Sequence, residues 1–201
     1  MRMTLDEVIR MRVSEVLMKG ASFVVQFGIK ADMLTIVSLI SAFLSGLFIY
    51  MKILWIGAIF LALSSLSDAM DGAIARYTKC ESRKGDFLDH VVDRYADVFI
   101  LCGIIFGGYV PSWIGIVTIT GVLLTSYIGT QAQAVMFERL YKGIMGRSDR
   151  LVVLLIGILL NIIHPQPIMG LYILGWTIAI VGIASHITAI QRFYLVWKTL
   201  E

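Results

Sequence analysis

Residues 68–93 read DAMDGAIARYTKCESRKGDFLDHVVD, a stretch that places four aspartates at the edge of apolar sequence. Asp68 and Asp71 are three residues apart, which puts both side chains on one face of a helix. Asp89 and Asp93, four residues apart, share a helical face in the same way. A carboxylate left in hydrocarbon costs roughly 2.5–3.5 kcal/mol on insertion scales. Four of them indicate a strongly positive shared partner, and ligand sets of oxygen alone favour Mg²⁺, Mn²⁺ or Ca²⁺, which predicts a metal site at a membrane surface.

The composition of the 201-residue chain favours a membrane protein. Hydrophobic residues make up 58% of it and charged residues 15%, whereas a soluble domain averages about 45–50% and about 25%. A membrane span needs about 20 predominantly apolar residues. Six segments are candidates, the fifth of them short: 33–51, 53–75, 87–109, 111–135, 150–163 and 168–191. We therefore expect an all-α integral membrane protein with six transmembrane helices, forming a single domain over residues 1–201.

The N-terminal segment differs in character from the six apolar segments. Residues 4–18, TLDEVIRMRVSEVLM, intersperse apolar residues with charges. This pattern is typical of an amphipathic helix that lies at the membrane interface, and Thr4 with Glu7 offers it a capping box. We expect residues 1–30 to form a juxtamembrane amphipathic segment, and no cleavable signal peptide is predicted.

The placement of basic residues predicts the orientation. Lys and Arg concentrate in both terminal segments and in two connections, 76–84 and 138–150, whereas the alternate connections hold only Lys52. By the positive-inside rule both termini are cytoplasmic, as six spans require. The pattern predicts a multi-pass protein of the cell membrane whose aspartate cluster faces the cytoplasm. The two cysteines, Cys80 and Cys102, are expected to be unpaired thiols.

Small residues and an arginine accompany the aspartates. Gly72 and Ala75 allow a flat group to approach the backbone closely, and Arg76 supplies a planar fork that suits phosphate oxygens. Gly85 lies one turn before Asp89 and allows a similar approach. Carboxylates, a metal, small residues and an arginine together predict a site for a metal-bound diphosphate.

The same residues are compatible with two other interpretations. Charged neighbours on the same segment can form interfacial ion pairs without any chemistry: Asp86, His90, Arg94 and Asp97. Acidic residues in membranes also mark ion-coupled transporters. Transporters, however, place such residues near the bilayer midplane on broken helices, often in duplicated halves, whereas these aspartates cluster at one rim and no internal repeat is visible.

The aspartate pattern resembles the signature of the CDP-alcohol phosphatidyltransferase family. Its eight positions are all filled: Asp68, Asp71, Gly72, Ala75, Arg76, Gly85, Asp89 and Asp93. The six-span layout without a soluble domain is also what that family implies. The resemblance implies a transferase that displaces CMP from a CDP-linked alcohol, usually a lipid, with the hydroxyl of a second alcohol.

The resemblance also implies residue roles. The four aspartates would bind two Mg²⁺ or Mn²⁺ ions, with Asp93 also acting as the general base. The residues implied to bind the CDP-lipid donor are Asp32, Thr35, Gly72, Ala75, Arg76, Ser82 and Gly85. The family often carries a proline directly before the residue that matches Asp32, and this chain has Ala31 there.

Three later segments resemble the branch of the family that makes inositol phosphate lipids from inositol 1-phosphate. They are SYIGTQAQA at 126–134, GRSDRL at 146–151 and QRF at 191–193. The first segment is most similar to archaeal members, whose donor is an ether lipid. The residues implied to bind the acceptor are Arg147, Arg150, Arg192 and Gln131. The arginines suit a dianionic phosphate, although they are also consistent with topology charges and a snorkelling helix end.

The sequence does not decide which alcohol is the acceptor. Glycerol 3-phosphate would use the same arginines, and serine or a CDP-inositol donor are further alternatives. We expect the partners to be a CDP-lipid, a small phosphorylated alcohol and membrane lipid, with no nucleic acid. Gly103 and Gly107 form a small-xxx-small pair that is compatible with a homodimer.

Overall fold

Residues 5–78, 82–136, 140 and 142–200 are described by the computed structural model, residues 5–14 and 136 by their backbone alone. Thr4 and Cys80 lie outside the described residues. This part of the chain is helical throughout its regular structure, with seven helices in order: α1 Leu5–Gln26, α2 Ala31–Tyr50, α3 Leu54–Thr78, α4 Arg83–Phe106, α5 Ser112–Met136, α6 Arg147–Ile163 and α7 Ile173–Leu200.

Several of these helices are suited to a membrane. Four are long and apolar enough to cross one: α2, α3, α5 and α7. The other two predicted spans coincide with α4, whose first half is strongly charged, and with α6, which has 17 residues. Large apolar side chains such as Ile59, Ile116 and Ile183 are more than half exposed on the outside of the bundle, as expected of surfaces that contact lipid. The prediction of an all-α membrane protein is confirmed, and the count of six spans stays a prediction.

The helix boundaries differ from the predicted segments mainly at the last helix. The sixth segment was expected over 168–191, whereas α7 begins at Ile173 and continues to Leu200. Pro165 and Pro167 precede it, and residues Ile168 and Leu171 close a tight turn by exchanging backbone hydrogen bonds of 2.7 and 3.2 Å. Proline cannot donate a backbone hydrogen bond, which delays the start of the helix.

The N-terminal helix α1 extends beyond the predicted 4–18 and packs against α3. Its Ala21 is fully buried in a small cluster with Ala73 and Ile74 of α3, while Phe23 and Phe27 on the other side are exposed. The C-terminal half of α1 therefore holds the end of α3 that carries the aspartates. Its amphipathic position at the interface stays a prediction.

Small residues let α2 and α4 cross in close contact. A Cβ atom built on Gly103 of α4 would overlap the carbonyl oxygen of Gly46, and one built on Gly46 would overlap the carbonyl oxygen of Phe99. The side chain of Ser45 donates a hydrogen bond of 2.9 Å to the carbonyl of Gly57 and ties α2 to α3. Gly103 therefore forms a helix contact within one chain, and the homodimer stays a prediction.

Polar side chains join α5 to α7. Thr118 donates to the carbonyl of Ile178 at 3.0 Å, and Thr125 donates to the carbonyl of Ser185 at 2.7 Å. Interhelical hydrogen bonds of this kind are a common means of association in apolar surroundings. They hold the first half of α7 against α5, about two helical turns before Arg192.

The substitution Gly103→Ala tests the crossing of α2 and α4. We expect it to destabilise the protein by about 1–3 kcal/mol, because the added methyl group forces two backbones apart. Thermal unfolding in detergent measures the effect. Gly20→Ala is the control, since its Cβ would meet only the flexible end of Met70, at 3.3 Å. Equal unfolding temperatures for both variants would contradict this account.

Candidate active site

Three aspartates meet where the end of α3 faces the start of α4. Asp68, Asp71 and Asp89 each offer a carboxylate oxygen, and these oxygens lie within 4.8 Å of one another. Asp71 is buried, and the other two are half-buried. The helical spacing places Asp68 and Asp71 on the same side of α3, and the antiparallel return of the chain brings Asp89 opposite them.

Helix α2 orients this group from the side. The hydroxyl of Thr35 donates a hydrogen bond of 2.7 Å to Asp71 Oδ2, which holds one carboxylate in a single orientation. Asp32, one turn earlier, has its Oδ1 atom 3.7 Å from the position that a Cβ on Gly85 would occupy. Ser82 accepts a hydrogen bond of 3.0 Å from the backbone N–H of Gly85 and caps α4. The predicted donor residues of α2 and α4 therefore lie together.

Asp93 forms a second group one turn further along α4. It is 7% exposed, and its carboxylate lies within 4.8 Å of ligand atoms from Asp89 and His90. Two arginines flank it: Arg94 Nη2 lies 3.1 Å from its Oδ2, and Arg147 Nη1 lies 2.9 Å from its Oδ1. Among the described residues, that buried Oδ1 accepts no hydrogen bond of suitable geometry.

The two groups fit divalent cations. Convergent carboxylate oxygens are the donors that Mg²⁺ and Mn²⁺ prefer. Asp93 Oδ1 is a buried anionic atom that accepts no well-aligned hydrogen bond among the described residues, and a cation would satisfy it. Asp89 belongs to both groups, as expected of a ligand shared by neighbouring ions.

The predicted acceptor arginines have three different settings. Arg147, at the start of α6, contacts Asp68 Oδ2 at 2.6 Å as well as Asp93. Arg150, one turn later, forms an ion pair of 2.5 Å with Asp97 in which both side chains are nearly fully buried. Arg192 of α7 donates hydrogen bonds to backbone carbonyls of the loop before α6 and of α5, at 2.9 and 2.7 Å.

The remaining predicted residues lie at the edge of the site. Gly72 and Ala75 are half-buried, and Arg76 folds back so that its Nη1 atom lies 3.3 Å from where a Cβ on Gly72 would be. Gln131 is exposed on α5. It lies two residues after Gly129, whose Cβ would approach Arg192 Nη1 to 2.8 Å.

The sequence predicted His90 and Asp97 only as interfacial ion-pair partners without a chemical role. His90 joins the second group of ligands, and Asp97 anchors Arg150. The signal for Asp97 was present in the sequence, since it continues the four-residue spacing of Asp89 and Asp93 along one face of α4. Its partner, 53 residues away in the chain, carried no local signal.

A cavity of about 350 Å³ lies elsewhere in the bundle. It is lined by residues at the far ends of the helices, among them Lys52, Trp55, Tyr109 and Asn161. Trp55 and Asp68 are 13 residues apart on α3, which is about 20 Å along a helix. The cavity is therefore separate from the carboxylates.

An all-helical bundle with apolar outer surfaces and convergent carboxylates at one end defines an integral membrane protein with a candidate divalent-cation site. Residues 29–190 match the family described as CDP-alcohol phosphatidyltransferase. The chain belongs to this family, since the match covers most of its length and includes the whole aspartate pattern. It is therefore an enzyme, a transferase of phospholipid biosynthesis, and the transporter hypothesis is set aside.

Individual relatives are similar over most of the chain. The archaetidylinositol phosphate synthase of Pyrococcus horikoshii is 33% identical over 193 residues, covering 96% of this chain and 97% of that protein. The archaetidylinositol phosphate synthase of Methanothermobacter thermautotrophicus is 32% identical over 146 residues, covering 72% and 71%.

Solved structures of a bacterial relative have the same fold. The phosphatidylinositol phosphate synthase of Mycobacterium tuberculosis with CDP-DAG bound has a TM-score of 0.77 and 25% identity, covering 91% of this chain and 94% of that one. The same enzyme in complex with manganese and citrate has a TM-score of 0.77 and 26% identity, covering 90% and 88%.

The substitution Asp89→Asn tests the carboxylates as a cation site. Mn²⁺ should raise the unfolding temperature of the unmodified protein, because a ligand that binds only the folded state stabilises it. We expect this rise to be largely lost in Asp89→Asn, which removes a ligand from both groups. Glu15→Gln is the control, since Glu15 lies on α1 with its side chain 60% exposed and pairs with Lys19. An undiminished rise in Asp89→Asn would contradict the assignment.

Proposed function

We propose that this enzyme transfers a phosphatidyl or archaetidyl group from a CDP-lipid to the hydroxyl of inositol 1-phosphate and releases CMP. The observation that carries the proposal is the contact of Arg147 with Asp68 and Asp93. This contact places a guanidinium group, which suits an acceptor's phosphate, directly beside the carboxylates that would act on the donor. The names of the similar proteins support inositol 1-phosphate as the acceptor.

The donor would lie against the end of α3. Gly72 and Ala75 leave room for the cytidine to approach the backbone, and Arg76, which folds over Gly72, would bind the diphosphate. Thr35 and Asp32 close the site from α2, while Ser82 and Gly85 close it from the start of α4. These roles agree with the proximity of α2, α3 and α4 at this end of the bundle.

Two Mg²⁺ or Mn²⁺ ions would be held by Asp68, Asp71, Asp89 and Asp93. When bound, they neutralise the diphosphate and make CMP a better leaving group. Thr35 orients Asp71 for this task through its hydrogen bond of 2.7 Å. Burial of Asp71 and Asp93 keeps water from competing for the same carboxylates.

The base for the reaction would be Asp93. Its carboxylate would accept the proton of the acceptor hydroxyl as the hydroxyl oxygen bonds to the lipid-linked phosphorus. The bond from that phosphorus to the oxygen of CMP breaks, and CMP leaves with the electron pair. Asp93 is suited to this role because it is buried beside the proposed metal ligands and because Arg94, 3.1 Å from its Oδ2 atom, fixes its orientation.

The acceptor's phosphate would be bound by arginines from two helices. Arg147 and Arg150 project from the first turn of α6, and Arg192 from α7, with Gln131 at the rim. Arginine binds a dianionic phosphate with a planar set of donors, which disfavours serine as the acceptor. Glycerol 3-phosphate carries the same phosphate and is the second candidate.

The placement in the membrane completes the proposal. Helices α2 to α7 would form six spans, with α1 within a juxtamembrane segment over residues 1–30 that lies at the interface, and residues 1–201 would form one domain. Among the described residues, Arg76 lies in the last turn of α3, Arg83 and Lys84 begin α4, and Arg147 and Arg150 lie in the first turn of α6, all at the carboxylate end of the bundle. By the positive-inside rule this end faces the cytoplasm of a plasma-membrane protein, where a nucleotide-linked donor is available.

Release of CMP tests the function directly. The purified protein is incubated with a CDP-lipid, Mg²⁺ or Mn²⁺, and one acceptor at a time: inositol 1-phosphate, inositol, glycerol 3-phosphate or serine. We expect release with inositol 1-phosphate alone, because it combines the phosphate with the ring hydroxyl. Release with glycerol 3-phosphate alone would replace the acceptor and leave the chemistry intact. Absence of release with all four would point to a CDP-inositol donor.

The substitution Asp93→Asn tests the proposed base. Asparagine keeps the shape of the side chain and cannot take up the proton, so we expect turnover to fall by about 10²-fold or more. Binding of CDP, measured by calorimetry, should stay within a few-fold of the unmodified protein, because Asp68, Asp71 and Asp89 keep their own group. Turnover close to that of the unmodified protein would remove Asp93 from this role.

A further inference from the structure

The guanidinium of Arg147 lies between two of the proposed metal ligands. Its Nη1 atom is 2.6 Å from Asp68 Oδ2 and 2.9 Å from Asp93 Oδ1. A divalent cation bound to the same two oxygens must lie within about 2.0–2.6 Å of each. The space between these oxygens therefore holds either the arginine nitrogen or a cation.

This exclusion concerns one of the two cation positions. The group formed by Asp68, Asp71 and Asp89 brings its three oxygens within 4.8 Å of one another. Within the described part of the chain, Arg147 pairs with Asp68 of this group and with neither Asp71 nor Asp89, so the arginine occupies one of its three ligands. Asp93, by contrast, lies outside that group and forms an ion pair with the arginine. The position that uses Asp93 is the one at which Arg147 competes.

The competition takes place largely out of water. The side chains of Arg147 and Asp93 are 15% and 10% exposed. Charges that are screened little by solvent interact more strongly than charges at the surface. A cation arriving at Asp93 must therefore overcome both the occupied space and the repulsion of a neighbouring positive charge.

Asp97 offers the displaced arginine a second partner. Arg147 Nε is buried, forms no hydrogen bond within the described part of the chain, and lies 3.9 Å from Asp97 Oδ1. The other oxygen of Asp97 binds Arg150. A small movement toward Asp97 would give Arg147 Nε a hydrogen bond and would place both arginines beside one carboxylate.

We propose that Arg147 is an internal competitor of the second divalent cation and moves toward Asp97 and Arg150 when that cation binds. The proposal rests on the proposed function for its two-cation site. Loading of the second cation would thereby release Arg147 from the metal ligands to bind the acceptor's phosphate. The acceptor pocket would be complete only after the metal site is filled, which orders the two events.

Binding of Mn²⁺ to the 201-residue protein in detergent, followed by electron paramagnetic resonance of the free ion, tests the proposal without any turnover. In Arg147→Gln we expect the weaker of two Mn²⁺ ions to bind at least about tenfold more tightly, because a cationic competitor in contact with both carboxylates is gone. The affinity of the tighter ion should rise less, because Arg147 contacts only Asp68 among the three carboxylates of that group. Arg147→Met, which keeps most of the length without the charge, should show the same gain, and unfolding temperatures without metal confirm that each variant is folded.

Arg192→Gln is the matched control. It removes the same charge from a buried arginine of α7 that donates hydrogen bonds to the carbonyls of Lys142 and Thr125, so both Mn²⁺ affinities should equal those of the unmodified protein. An unchanged or weaker second ion in both Arg147 variants would overturn the competition. A gain of equal size in Arg192→Gln would overturn it too, since the effect would then come from net charge. Absence of saturable Mn²⁺ binding in the unmodified protein would instead overturn the metal site of the proposed function.

Discussion

Balance of buried charge is the constraint on which the site depends. Helix α4 carries Asp89, Asp93 and Asp97 along one face, and the last two are nearly fully buried. Carboxylates withdrawn from water are tolerated only when cations or hydrogen-bond donors compensate them. The start of α6 provides the compensation through Arg147 and Arg150, which therefore join α6 to α4. The same charges that make the site reactive hold the helices around it together.

Close helix packing makes this concentration of charge achievable. The crossing of α2 and α4 depends on Gly46 and Gly103, whose lack of side chains lets the two backbones touch. Helix α2 also packs against α3, where Ser45 donates to the carbonyl of Gly57 and Thr35 donates to Asp71 at 2.7 Å. Hydroxyl groups of α5 donate to carbonyls of α7 in a similar way. In apolar surroundings, glycines and short polar side chains thus hold the helices together, whereas in soluble proteins large apolar side chains do so.

Several features of the protein were predictable because they depend on residues close together in the chain. Apolar runs located α2 to α7. Helix α4 began four residues before its predicted segment, within charged sequence, and α7 began five residues after its predicted start because of the turn after Pro167. The four-residue spacing of Asp89 and Asp93 predicted a shared face on α4. His90 joined these two carboxylates in the structure, and Asp97, one turn further, became the partner of Arg150. The packing of the N-terminal segment was not predictable from its own residues, because Ala21 is buried only through its contact with α3.

The sequence by itself determined the helical class, the membrane setting and the identity of the carboxylates, since these follow from composition and from spacings of three or four residues. Only the tertiary structure decided the partners of the arginines. Arg147 meets Asp68 across 79 residues of chain, Arg150 meets Asp97 across 53, and Arg192 binds the carbonyl of Thr125 across 67. Such pairs depend on how helices stack rather than on any local period, so no sequence pattern distinguishes an arginine that binds a ligand ion from one that binds a carbonyl.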